Sequence, residues 1–117
     1  MSELKQIEIT NQDKFILAKL QCDKLDEQYT SDMQKKVQEA ADQAPNLAVV
    51  LDMSEVQFLP SLSLGALVTL MQNSKKRQQR FILVNIQPEV RQTLAICRLD
   101  KLFEIYDTVE TASQKIQ

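Results

Sequence analysis

Apolar residues along this chain come in two spacings, and the alternation between them predicts the elements. Leu47-Ala48-Val49-Val50-Leu51 is a short apolar run, β-branched in the middle and stopped by Asp52. Such a run reads as a parallel strand buried on both faces. Phe81 to Val84 repeats the pattern, and Phe15 to Leu20 is also apolar on both faces. Gln6 to Thr10 and Lys14 to Leu20 flank Asn11-Gln12-Asp13, so the two read as the strands of a hairpin. Leu102 to Tyr106 reads as a short edge strand. Between the strands the spacing changes to three and four. Met33, Val37, Ala40, Ala41 and Ala44 form the stripe of a helix from about Tyr29 or Thr30 to Gln43, which Thr30 or Ser31 can cap and Pro45-Asn46 ends. Leu64, Leu67, Val68 and Met71 form the stripe of a second helix, from Ser61 to about Lys76. Pro88 suits the first position of a third, to Cys97, with Val90, Leu94 and Cys97 in register. Asp107 can cap a last one, Thr108 to Ile116, with Val109 and Ala112 inward.

The predicted order is two hairpin strands, then helix and strand in alternation to a final helix. Alternation at this spacing implies parallel pairing through right-handed crossovers. The expectation is an α/β fold: one domain over residues 1–117, a mixed sheet of about five strands and about four helices.

The second helix is unusual because its other side is apolar too. Leu62, Ala66 and Leu70 lie roughly opposite the first stripe, with the only glycine of the chain, Gly65, between them. Either a neighbouring helix covers this second face, or it is a docking surface. Before it, Asp52-Met53-Ser54-Glu55 is a turn candidate, and Val56 to Leu59 returns the chain to the sheet edge. Pro60 has no N–H and stops any ladder, and the Ser61 oxygen is placed to cap the helix.

Composition narrows the chemistry. The 117 residues contain no histidine, one glycine and two cysteines, with a net charge of −2. A chain with no histidine lacks the commonest general base and metal ligand. Two separated cysteines build no zinc cluster, and one glycine builds no nucleotide loop. No metal, cofactor or enzymatic activity is expected. Asp26 and Asp52 could converge near the start of the second helix, but solvated turn carboxylates explain both. The acidic balance argues against nucleic acid. The basic run Lys75, Lys76, Arg77 and Arg80 reads as cations complementing a helix C-terminus. No stretch is long and apolar enough for membrane insertion, and Met-Ser-Glu-Leu-Lys opens no signal segment. Cys22 and Cys97 read as reduced core thiols, so the expected location is the cytoplasm.

This element order, with Val49-Val50-Leu51-Asp52-Met53-Ser54 and Val56-Gln57-Phe58-Leu59-Pro60-Ser61-Leu62-Ser63-Leu64-Gly65-Ala66-Leu67, resembles the STAS domain of anti-sigma factor antagonists. The resemblance continues through Phe81-Ile82-Leu83-Val84-Asn85, Pro88-Glu89-Val90-Arg91 and Leu99-Asp100-Lys101-Leu102-Phe103. It implies a partner-switching module. The unmodified form would bind an anti-sigma factor that is a serine kinase of the histidine-kinase-like ATPase type, and a sigma factor would go free. The kinase would phosphorylate the module, and a serine phosphatase would reset it. Ser61 falls at the position of the modified serine, with Ser63 the runner-up. Partner binding is expected of Asp26, Pro60, Ser61, Leu62, Ala66 and Leu70, Asp26 matching the Asp of the family's Gly-x-Leu-Asp loop. The chain departs from the family pattern in five places. Pro60 replaces an Asp, Leu62 a hydroxyl residue, Ser63 a Gly, and Asp23 the loop Gly. Arg98 also stands where a Gly often precedes Leu-Asp, which predicts strain if its φ is positive. The alternative is a constitutive, unphosphorylated STAS scaffold or a subunit of a signalling or lipid-transport assembly.

Overall fold

The strand that is apolar on both faces takes the centre. In the computed structural model, which describes residues 6–116, the elements are β1 (Gln6–Asn11), β2 (Phe15–Gln21), α1 (Glu27–Gln43), β3 (Ala48–Asp52), α2 (Ser61–Lys76), β4 (Phe81–Val84), α3 (Pro88–Ile96), β5 (Glu104–Tyr106) and α4 (Val109–Lys115). Sheet order equals chain order, β1-β2-β3-β4-β5, with β3 in the middle. β1 and β2 pair antiparallel, and the other three pairings are parallel. The mixed five-stranded sheet with four helices is the architecture the sequence predicts.

Strand periodicity sorts the side chains into two cores. Val49, Leu51 and Leu83 face one side, against Met33 and Val37 of α1, Leu67 of α2 and Leu94 of α3. Val50, Ile82 and Val84 face the other, against Ala112 and Ile116 at α4. The three crossover helices share a face because every parallel step moves the same way along the sheet, and a right-handed crossover then returns on the same side each time.

Several element ends differ from the sequence reading. α1 begins at Glu27, because Asp26 is its cap: the Tyr29 amide donates to Asp26 Oδ1 at 2.8 Å. Thr30, expected to cap, is buried inside the helix, and Ser31 lies within it as well. Thr108, not Asp107, caps α4, accepting from the Thr111 amide. β5 is shortened because the amides of Leu102 and Phe103 both turn back to the Leu99 carbonyl. Cys97 is not a core residue: it is the exposed C-cap of α3, while Cys22 is buried, and neither is in a disulfide. Arg98 does adopt positive φ, 60°, and the Leu99 amide returns to the Leu94 carbonyl at 2.8 Å. No helix among the described residues is long and apolar enough to cross a membrane.

Candidate functional site

The C-terminal edge of the parallel strands carries the site. Asp52 ends β3 and turns the chain: its Oδ1 accepts from the Ser54 amide at 3.0 Å and from Asn85 Nδ2 at 3.1 Å. The chain then runs beside the loop that precedes α1. The amides of Gln57 and Phe58 both donate to the Asp23 carbonyl, at 2.7 and 3.0 Å. Residues 23–26 and 56–60 are thereby stitched into one unit, with a parallel bridge between Lys24 and Phe58. Asp26 and Asp52 do not need an acid–base role to account for them, since each holds a turn or a helix start.

Pro60 occupies the capping position of α2 without a side-chain cap, and Ser61 is the first helical residue. Ser61 therefore does not cap the helix as the sequence suggested. Proline fixes φ near −65°, which is the value found, and its carbonyl accepts from the Leu64 amide at 3.0 Å. The Ser61 side chain stays at the surface.

Ser63 is different. It is fully buried, donates to the Leu25 carbonyl at 2.8 Å, and lies 2.8 Å from the Thr30 hydroxyl. Two steps of 100° turn it from the solvent side of Ser61 into the contact with α1. That burial corrects its placing as runner-up acceptor, because its hydroxyl is committed and sealed.

The second apolar face of α2 is covered. Ala66 and Leu70 are 6% and 2% exposed, packed in the core that α1 shares. Leu70 is thus a core residue and not part of a docking surface. Ala66 forms the floor of an open groove between α1 and α2, whose rim includes Glu27, Ser31, Ser61, Leu62 and Thr69. A helix with two apolar faces needs two covers, and here the sheet and α1 supply them. Leu62, in the first turn, escapes both and is 57% exposed. Phe58 joins it at 55% exposed, with the Lys24 ammonium 5.6 Å from its ring centroid. Sequence reasoning missed Phe58; the only signal was a large aromatic in a loop that ends at proline.

Tyr29 locks the α1 start to the hairpin. Its hydroxyl donates to the Gln6 carbonyl at 2.6 Å and accepts from the Gln21 amide at 3.0 Å. Burial holds that phenol well above its ordinary value, so it stays protonated and keeps donating. Among the described residues no cluster of three His, Cys, Asp or Glu could hold a metal ion.

Comparison with known proteins bears on the fold. The family model of the STAS domain matches residues 6–112. A Thermotoga neapolitana protein, named as a candidate anti-sigma factor antagonist, is 32% identical over 69 residues, 59% of this chain and 61% of that protein. The chain thus matches less than two thirds of that relative's length. The anti-sigma factor antagonist domain protein of Planctomyces limnophilus has the same fold, with a TM-score of 0.83 at 20% identity over 94% of this chain and 96% of its own. So has the Bacillus cell fate determinant SpoIIAA in its phosphorylated form, with a TM-score of 0.71 at 19% identity over 97% of this chain and 100% of its own. From strand order to the α2 start, the chain belongs to the STAS domain family.

Proposed function

We propose that this chain, acting as one domain over residues 1–117, is an anti-sigma factor antagonist that works by binding and not by catalysis. The partner is an anti-sigma factor with serine kinase activity of the histidine-kinase-like ATPase type, reset by a serine phosphatase, in the cytoplasm. The observation that carries this reading is the contrast at the α2 start. Ser61 is exposed on the first turn beside exposed Leu62 and Phe58, whereas Ser63 is sealed. Partner contact is assigned to Asp26, Pro60, Ser61 and Leu62, with Ala66 at the groove floor. A phosphate on Ser61 would be tolerated by the fold, since the first amides of a helix favour an anion. The same phosphate, with about −1.5 to −2 charge, would oppose burial of Leu62 and Phe58 under an apolar partner surface. One observation favours the second reading, a constitutive scaffold: Pro60 puts no carboxylate before the serine.

The test is capture from native cytosol with unmodified, Ser61→Ala and Ser61→Asp baits, followed by mass spectrometry for phosphoserine. The switch predicts that Ser61→Ala retains an anti-sigma kinase, Ser61→Asp loses it, and native protein carries phosphate on Ser61. Equal capture by all three baits, with Ser61 unmodified in cells, overturns the switch in favour of the scaffold.

A further inference from the structure

The opposite edge of the sheet, where the parallel strands begin, is built differently. α2 runs from Ser61 to Lys76, so at 1.5 Å per residue its ends are about 24 Å apart. Its C-terminal turn, with Lys75 and Lys76, continues into Gln78-Gln79-Arg80 ahead of β4. Two concavities flank this connection and share Gln78, Gln79 and Arg80.

The first concavity is lined by Lys14, Arg77 and Arg80 and, among the described residues, by no carboxylate. Asp42 and Glu104, which pair with the two arginines, stand outside its lining. Both guanidiniums are held further: Arg77 also donates to Gln79 Oε1 at 3.0 Å, and Arg80 to the Lys115 carbonyl at 2.8 Å. Each guanidinium has five N–H donors, so donors remain for a ligand. Lys14 and Lys75 have no ion-pair partner among the described residues. The floor is fixed, because Gln79 is buried and its amide donates to the carbonyls of Ala41, Ala44 and Leu47. The second concavity is lined by Met71, Phe81 and Leu102 together with Lys75, Arg80 and Glu104, the last held in an ion pair with Arg80. Leu102 is 46% exposed there.

We propose that this edge is a second docking surface, and that its occupant is an acidic segment of a partner protein carrying an apolar side chain. Carboxylates of the segment enter the cleft of Lys14, Arg77 and Arg80, and the apolar side chain covers Leu102. Charge complementarity selects the sign of the partner. The exposed leucine beside the cations selects a peptide over a small anion, which would leave it uncovered. The surface lies at the opposite end of α2 from Ser61, about 24 Å away.

The test is an amide NMR titration with the acetylated peptide Glu-Glu-Phe-Glu-Glu and its Lys-for-Glu counterpart at matched ionic strength. The acidic peptide is expected to shift residues 14, 46–48, 77–80 and 102, and the basic one to leave them unmoved. Lys14→Gln and Lys75→Gln are each expected to weaken binding about threefold or more, with the protein still folded and melting temperatures little changed, Lys75 losing only its small contribution at the helix C-terminus. Shifts centred on the Ser61 face, or unchanged affinity in both lysine variants, overturn the proposal. So does binding of phosphatidylserine vesicles through these residues without binding of the peptide, which would make the edge a lipid-facing one.

Discussion

Ser63 Oγ and Thr30 Oγ1 lie 2.8 Å apart inside the contact between α2 and α1, and both reach the carbonyl of Leu25. One hydroxyl donates to the carbonyl and the other donates to that hydroxyl or to the same oxygen. The three groups tie together the first turns of both helices and the loop that holds Asp26. The starts of α1 and α2 thus share one buried polar knot.

Removing either hydroxyl leaves the knot incomplete. Ser63→Ala and Thr30→Val are each expected to cost about 1–3 kcal/mol in urea unfolding. The double variant should cost less than the sum, because the two act on one network. Strict additivity would show that the hydroxyls work separately. Mass spectrometry of native protein should find no phosphate on Ser63.

Leu70 and Leu62 lie eight residues apart on one helix and should behave in opposite ways. Leu70→Ala is expected to lower stability by about 2–5 kcal/mol, as for other sealed leucines. Leu62→Ala should stay within about 0.5 kcal/mol of the native protein, as surface changes do. Denaturant midpoints for the pair decide this, and equal losses would mean that the exposure of Leu62 is not kept in solution.

Arg98 holds a left-handed conformation that glycine adopts freely. Arg98→Gly is expected to raise stability by about 1 kcal/mol, the relief of that backbone cost. A lower melting temperature in Arg98→Gly would instead show that the arginine side chain outweighs the strain.

Glu104 links stability to pH. Burial works to raise its carboxyl, but hydrogen bonds from Arg80 and Tyr106 outweigh burial and hold it below its ordinary value of 4.5. A carboxyl depressed in the folded state stabilises above its unfolded value, and that stability is lost as pH falls through the folded one. The native protein should therefore lose stability below about pH 4.5 more steeply than Glu104→Gln, in melting curves taken across that range. Identical acid limbs would remove Glu104 from the account.

Local pattern alone determined most of the architecture. Apolar runs such as Val49 to Leu51 and Phe81 to Val84 specify buried strands, because only a strand covered on both faces avoids polar positions over that length. Helix stripes at three and four gave the crossovers, and handedness then left one face for α1, α2 and α3. The site was legible in part: Ser61 and Leu62 could be placed at the start of α2 because Pro60 ends the preceding segment. Sequence could not decide what covers the second face of that helix, since periodicity reports apolarity and not the neighbour. Only packing against α1 sorted Ala66 and Leu70 from Leu62, and buried Ser63 while leaving Ser61 outside. The caps were misplaced for a similar reason. Asp26, Thr30 and Ser31 are all good capping residues, and the choice of Asp26 rests on Thr30 being needed in the core, where its hydroxyl meets Ser63.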